Sequence, residues 1–141
     1  MFTIKKFSSG DAVLAKMAFA IRTSVFVKEL GVDATMEYDH EDEARHYLLV
    51  LADKAIATAR WRETDKGIKL ERFAVLPGFR NRGVGEIILM EVLKDVIPLK
   101  KMIYLHAQIN ATSFYERNGF TKFGEQFTEA GIEHFVMHYH D

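Results

Sequence analysis

A short basic, glycine-rich segment carries the clearest chemistry in the sequence. It reads Arg80-Asn81-Arg82-Gly83-Val84-Gly85, between a run that alternates like a strand and a run with helical periodicity. The first backbone N–H groups of a helix lack internal acceptors and lie at the positive end of its dipole, so glycines there let an anion approach closely. Arg80 and Arg82 add charge-assisted donors. The segment therefore predicts a site for a phosphate-like anion.

Two other phosphate-binding motifs do not fit this segment. A Walker loop requires Lys and then Ser or Thr directly after its second glycine, whereas Gly83 is followed by Val84 and Gly85. A dinucleotide fingerprint requires a third Gly or Ala, and that position holds Ile88. The sequence therefore excludes both motifs here.

Three histidines near the C-terminus, His134, His138 and His140, alternate along a predicted strand and share one face. Two-residue steps along a strand span ~6.7 Å, which separates His134 from His138 by ~13 Å. One metal ion cannot be bound directly by both. We expect no metal site.

The elements that must position these residues follow from the hydrophobic pattern. Apolar residues three and four apart predict helices, and alternation predicts strands. The predicted elements are a strand at 3–7, a helix at 11–28, a loop at 37–43, strands at 46–52, 55–62 and 68–75, a helix at 83–97, a strand at 101–108, a short helix at 110–117, and strands at 120–127 and 132–139. Their order is β-α-βββ-α-β-α-ββ.

The helix at 83–97 connects two strands as a crossover, which makes the strands at 68–75 and 101–108 parallel. Short turns join the other neighbouring strands in antiparallel pairs. We therefore predict an α/β (α+β) fold with a mixed, mostly antiparallel sheet, one parallel strand pair, and helices on both faces.

Length and composition restrict the function. The 141 residues fit a single domain, predicted to span 1–141. The 19 basic and 20 acidic residues nearly cancel, which argues against a nucleic-acid partner. Without any cysteine there is no thiol nucleophile and no Cys-ligated zinc. The sequence has neither a signal-peptide core nor a long apolar run, so we expect a cytoplasmic protein without a membrane partner.

In this strand–turn–helix context, Arg80-x-x-Gly83-x-Gly85 resembles the acyl-CoA pyrophosphate loop of the GNAT superfamily of N-acetyltransferases. The later segment from Asn110 through Phe114-Tyr115 to Gly119-Phe120 resembles a second motif of that family. Features around Arg22, His46 and 127–134 look like its small ElaA/YjcF-type group. The resemblance implies transfer of an acetyl group from acetyl-CoA to an amine. With no cysteine to carry the acyl group, the amine is expected to attack directly in a ternary complex.

The resemblance also implies roles for individual residues. The acyl-CoA arm would lie along the strand at 68–75, and Tyr115 would protonate the departing CoA sulfur, for which a phenol with pKa near 10 is suitable. Asn110 would hold the CoA arm or cap the short helix. The expected cofactor contacts are Phe73, Ala74, Val75, Arg80, Asn81, Arg82, Gly83, Val84, Gly85, Glu86, Asn110 and Tyr115.

The general base has several candidates. Strict alternation places Glu71, Phe73 and Val75 on one sheet face, so Glu71 either reaches the amine or pairs with arginines on neighbouring strands. His46 and His134 have a suitable intrinsic pKa, and each has a structural role as its alternative. A water chain is a further route for the proton.

Other functions and partners remain open at this stage. The acidic segment 37–43 either attracts a cationic amine or is a solvated loop. The alternatives to an N-acetyltransferase are a non-catalytic acyl-CoA-binding or regulatory module, and an enzyme like the acyl-homoserine-lactone synthases. The expected partners are acetyl-CoA and an amine, with a homodimer left open.

Overall fold

A computed structural model describes residues 2–31 and 40–140. Seven strands and three α-helices follow in the predicted order. They are β1 (Phe2–Phe7), α1 (Ala12–Arg22), β2 (Arg45–Leu51), β3 (Lys54–Thr64), β4 (Gly67–Val75), α2 (Val84–Val96), β5 (Ile103–Gln108), α3 (Thr112–Glu116), β6 (Phe120–Glu129) and β7 (Ile132–Tyr139). None of the helices in this part of the chain is long and apolar enough to span a membrane.

The first helix has the predicted extent but changes its hydrogen bonding. The Asp11 carboxylate caps α1 by accepting from the Leu14 N–H at 3.1 Å. From Thr23 to Glu29 the chain continues as a π-helix, and Gly31 follows with a φ of +76°. This continuation carries Glu29 to a position where it contacts the loop before α2. Of the predicted loop at 37–43, residues 37–39 lie outside the described part.

The seven strands form one sheet in the order β1-β2-β3-β4-β5-β7-β6. Only β4 and β5 are parallel, and every other neighbouring pair is antiparallel. The mixed, mostly antiparallel sheet predicted from the sequence is therefore confirmed, including its single parallel pair across the α2 crossover.

The two faces of the sheet are covered differently. The apolar arc of α2 packs on one face, where its residues Leu89, Val92 and Val96 are fully buried with strand residues such as Ile68 and Leu105. On the opposite face, α1 packs against β2, β3 and β4 through a smaller cluster around Ala18, Ile21 and Leu48. Helices therefore flank both faces, as predicted.

A β-bulge in β4 determines the shape of the functional region. Across the β3–β4 pair, Thr58 lies opposite Ala74 and Arg60 lies opposite Glu71, so β4 has one residue more than β3. Arg72 takes up the extra length with a φ of +58°. Because a bulge bends its strand, β4 turns away from β5. The parallel pairing ends at Leu70 and Leu105.

The bulge also corrects the predicted alternation along β4. The sequence predicts that Glu71, Phe73 and Val75 share one face. Instead, Glu71 and Ala74 share the α1 face through their pairing with Arg60 and Thr58, whereas Phe73 and Val75 pack with the core under α2. The reason is the extra residue at 72, since one inserted residue reverses the face of every residue after it.

Candidate active site

A cavity of about 800 Å³ opens where β4 and β5 separate. Its walls are the bent end of β4, the end of β5, the start of α2, and parts of α3 and β7. Of the residues predicted for the site, those lining it are Glu71, Phe73, Ala74, Val75, Arg80, Asn81, Gly83, Val84, Gly85, Glu86, Asn110, Tyr115 and His134. His46 and Arg82 are the two predicted residues that do not line it.

The start of α2 presents backbone donors to this cavity. Gly83 is the N-cap residue with a φ of +78°, and no described side chain caps the helix. A Cβ built on Gly83 would meet no atom within 4 Å, so the glycine is required by its backbone angle and leaves the space above it open. A Cβ on Gly85 would lie 3.5 Å from the Phe114 ring. The first amides of α2 are therefore available to an anion.

Arg80 is engaged within the protein. Its Nε donates to the Val75 carbonyl at 2.8 Å, and its two Nη atoms donate to the Glu29 carboxylate at 2.7 and 2.8 Å. This hydrogen bonding lowers the pKa of Glu29 and raises that of Arg80. Arg80 thus joins the π-helical segment to the end of β4. Arg82 instead lies over the Phe79 ring at 5.9 Å, outside the cavity wall.

Tyr115 is packed among aromatic side chains at the cavity wall. Its ring makes edge contacts with Phe73, Phe114 and Phe120, with centroids 6.4, 5.1 and 5.7 Å away. It is 9% exposed and lines the cavity. Burial raises the pKa of Tyr115 above its ordinary value of 10.0, so the phenol is protonated at neutral pH. It is a packed core residue that also borders the site.

Asn110 lies in a 3-10 turn before α3 and lines the cavity. The alternative that it caps the short helix is wrong. Ala111 is the residue before α3, and no side chain caps that helix. The 3-10 turn of Ile109–Ala111 takes the place of a cap, because its hydrogen bonds satisfy donors at the start of the helix.

Glu71 is surrounded by cations. Arg60, 1% exposed, donates from Nε to its carboxylate at 2.7 Å, Arg62 donates from Nε at 3.2 Å, and the Lys69 Nζ lies 3.5 Å away. Burial acts to raise the pKa of Glu71, but these cations lower it overall. The geometry therefore agrees with the ion-paired alternative for Glu71, because an ionised, neutralised carboxylate is a weak base.

The two predicted histidines have different surroundings. His46 is buried on the Phe7 side of the sheet, with the rings stacked 5.3 Å apart and Nε2 3.1 Å from the Glu41 carbonyl. Burial lowers its pKa. His134 lines the cavity, with Nδ1 2.7 Å from the Ile132 carbonyl. Of the two, only His134 is placed where an acceptor could reach it.

Residues that the sequence analysis missed complete this region. His106 on β5 and Glu129 at the end of β6 line the cavity, with the His106 Nδ1 3.0 Å from Glu129 Oε1. The hydrogen bond from His106 is the main reason that the pKa of Glu129 falls to about 2. Glu129 lies in the 127–134 segment that resembles the ElaA/YjcF-type group, but the sequence analysis gave it no role. His106 lies in no motif, and only its alternation with buried Leu105 along the strand indicated its position. We call the polar part of the cavity the polar chamber, lined by Arg62, Lys69, Glu71, His106, Glu129 and His134.

The described carboxylates of the acidic segment pair with neighbouring side chains and do not line the cavity. Glu41 pairs with Arg22 and Arg60 at 2.8 and 3.0 Å, Asp42 accepts from Ser9, and Glu43 contacts His40. Glu37 and Asp39 lie outside the described residues. Within the described part, the His, Asp and Glu side chains form no group of three that could hold a metal ion.

Comparison with known proteins identifies the fold and the family. The family model for the acetyltransferase (GNAT) domain matches residues 9–140. The chain belongs to the GNAT acetyltransferase family. YjcF of Bacillus subtilis (strain 168), whose name describes it as an uncharacterized N-acetyltransferase, is 38% identical over 125 residues, which are 86% of this chain and 89% of YjcF. This similarity confirms the ElaA/YjcF-type group predicted from the sequence.

Solved structures of GNAT proteins share the fold over nearly the whole chain. Escherichia coli ElaA superposes with a TM-score of 0.86 at 23% identity, covering 97% of this chain and 99% of ElaA. An acyl-CoA N-acyltransferase from Pseudomonas aeruginosa gives the same TM-score at 21% identity, covering 99% and 100%. The GNAT match supports acyl transfer and favours neither the regulatory module nor the lactone synthase.

Proposed function

We propose that this GNAT protein transfers an acetyl group from acetyl-CoA to a primary amine by direct attack in a ternary complex. The observation that carries the proposal is the cavity between the separated strands β4 and β5. It has the uncapped amides of α2 at one end, Tyr115 in its wall, and a polar chamber at the other end. One opening therefore offers sites for an anionic cofactor and for an acceptor.

The cofactor residues are proposed from this geometry and the family. The amides from Gly83 to Glu86 would hold the diphosphate of acetyl-CoA, since a helix N-terminus with open space above a glycine suits a phosphate. The pantetheine arm would lie beside Phe73, Ala74 and Val75, where β4 has lost its β5 partner. Backbone N–H groups on this edge would polarise the thioester carbonyl.

The reaction then needs two proton transfers. The neutral amine nitrogen attacks the thioester carbonyl carbon, the C–N bond forms, and the C–S bond breaks. Tyr115 gives its phenolic proton to the departing sulfur, and the amine loses a proton to a base. The products are an amide and free CoA, and solvent restores the proton of Tyr115. The raised pKa of Tyr115 keeps the phenol protonated before each turnover.

Two histidines that line the chamber, His106 and His134, are candidates for the base. Glu129 is ionised and can only accept, so His106 donates from Nδ1, and the lone pair of a neutral His106 ring then lies on Nε2. His134 has its Nδ1 occupied by Ile132 and its Nε2 3.9 Å from Glu129. We assign proton removal to His106, oriented by Glu129, with His134 beside it.

This assignment predicts that His106→Gln lowers kcat by about 100-fold, because general-base catalysis contributes on that order. The loss should shrink at higher pH, where more of the amine is already neutral. The matched control is His138→Gln, since His138 stacks on Phe123 outside the cavity wall. Unchanged kcat in His106→Gln together with a loss in His134→Gln would transfer the role to His134.

The function itself is tested by acetyl-CoA binding and CoA release. Acetyl-CoA should raise the melting temperature, because a ligand of the native state stabilises it. A panel of primary amines should then release CoA in amounts equal to the amide formed. Binding without release for any amine would indicate a regulatory module. Acyl transfer only from acyl-carrier protein to S-adenosylmethionine, which frees the carrier-protein thiol and no CoA, would indicate a lactone synthase. Absence of any shift at millimolar acetyl-CoA would overturn the proposal.

A further inference from the structure

The polar chamber lies on the α1 face of the sheet, where it extends from β3 and β4 onto β5 and β7. Strand register places its residues on one face: Lys69 is opposite both Arg62 on β3 and Tyr104 on β5, and His134 is opposite Gln108 on β5. His106 alternates with Tyr104 and Gln108 and so shares this face. Among the strands, α1 contacts chiefly β2, β3 and β4. The chamber is therefore lined from the sheet face opposite to the one that carries Phe73 and Val75.

Several cations surround one carboxylate at the chamber. Arg60 satisfies Glu71 from the buried side, and Glu41 lies between Arg22 and Arg60. Glu129 is held by His106 and lies close enough to Lys69 for that cation to lower its pKa. At the chamber, Arg60, Arg62 and Lys69 all pair with the single carboxylate of Glu71.

Arg62 and Lys69 line the chamber, and both have N–H donors available for a bound molecule. The Arg62 Nε donates to the Glu71 carboxylate at 3.2 Å, whereas its two Nη atoms make no hydrogen bond to a described residue. The single ion pair of Lys69, to Glu71, is long at 3.5 Å. Both side chains are 14% exposed. A partly desolvated guanidinium with both Nη groups available is suited to bind a carboxylate or phosphate through two parallel hydrogen bonds.

We propose that the acceptor is a compact amine that also carries an anionic group, which Arg62 and Lys69 bind while the amine faces His106. Lys69 and the β5 residue His106 lie on adjacent strands and two residues apart in register, which puts their Cα atoms roughly 8 Å apart. A small molecule can span that distance. This inference rests on the proposed acetyltransferase function and names the class of its acceptor.

The test compares matched amines that differ only in the anionic group. The pairs are leucine with leucinamide, 4-aminobutyrate with butylamine, and glucosamine 6-phosphate with glucosamine. The first two pairs test a carboxylate and the third a phosphate. We expect kcat/KM to be at least about tenfold higher for the anionic member of one pair or more, the effect of one charge-assisted contact. Equal or better use of the uncharged or cationic member in every pair would overturn the inference.

Variants connect the preference to the two side chains. Arg62→Met and Lys69→Met should each raise KM for the anionic member by about tenfold, with little change for its partner or for acetyl-CoA. Lys16→Met, at an exposed site on α1, is the control. Equal losses for both members of a pair, or loss of acetyl-CoA binding, would show a structural role and contradict the inference. Melting temperatures of all variants verify folding.

The failure of this inference can be told from failure of the function. If neutral or cationic amines are acetylated while anionic ones are not, the acetyltransferase function stands and the anion site is refuted. If acetyl-CoA binds but none of the amines is acetylated, the proposed function fails and the acceptor class fails with it.

Discussion

The cofactor end of the cavity and the polar chamber are assembled from the chain in opposite ways. The cofactor end uses backbone groups of one stretch, from β4 through the loop to α2, so its geometry depends on glycine angles and on the bulge at Arg72. The chamber uses side chains from β3, β4, β5, β6 and β7, which only sheet register brings together. A site built from backbone groups tolerates changes of side chain, whereas a single substitution in the chamber can change which molecule it binds.

The largest expected effect is at the cofactor end. Gly83→Asp should weaken CoA binding by about 100-fold or more, because the side chain is strained at a φ of +78° and its carboxylate repels the diphosphate at the helix N-terminus. Calorimetric titration with CoA measures this. Gly78→Asp adds the same charge nearby, outside the cavity wall and without the positive φ, and should bind nearly normally. Equal weakening in both variants would attribute the loss to charge alone.

Tyr115→Phe tests whether Tyr115, in the cavity wall between the two ends, acts as the proton donor. It should lower kcat by about 100-fold by removing the proton donor, while CoA affinity stays within about twofold. Tyr139→Phe is the matched control, since Tyr139 packs on Phe120 but does not line the cavity. A loss of CoA affinity as large as the loss of kcat would assign Tyr115 to packing.

Glu129→Gln tests the chamber through acid stability. The pKa of Glu129 is lowered to about 2, so its stabilisation is complete above the ordinary value of 4.5 and is lost as pH falls through about 2. The variant should be less stable at neutral pH by about 1 kcal/mol, allowing for solvent screening. Its free energy of unfolding should also fall less steeply between about pH 4.5 and 2, measured by urea denaturation. Exposed Glu125→Gln should keep the wild-type slope.

The smallest effect concerns the pair between Arg80 and Glu29. Glu29→Gln should tighten CoA binding by about two- to fivefold, because it removes a carboxylate that competes with the diphosphate for Arg80. The gain should shrink at high salt. The surface variant Glu63→Gln, which breaks a pair with Lys101, should leave CoA affinity unchanged. Weaker CoA binding in Glu29→Gln would show that the pair holds the loop in its binding shape.

The sequence predicted the fold well, and it placed the loop from Arg80 to Gly85 at the start of a helix, for a physical reason. Helical and strand periodicities are local signals, and the loop from Arg80 to Gly85 is contiguous, so its place between β4 and α2 followed directly. Tyr115 was found because it lies within a second contiguous motif. Of the residues assigned to the cavity from these motifs, only Arg82 fell outside its wall.

The chamber could not be predicted in the same way. Glu71 was expected beside Phe73 and Val75, but the extra residue at Arg72 broke the alternation, and no propensity marks an arginine as the site of a positive φ. His106 and Glu129 are 23 positions apart and meet only through two strand pairings. His46 has a suitable side chain for a base, but its strand lies too far along the sheet from the β4–β5 gap.

The bulge at Arg72 has a consequence for how this protein could be altered. Deleting that one residue would remove the shift in register between β3 and β4. It would also let β4 form hydrogen bonds with β5 as far as Gln108, across the present gap. Strand pairing would then close the cavity, and substitution of its lining side chains would not reopen it. The position of this one extra residue along β4 thus decides where the cavity between β4 and β5 begins.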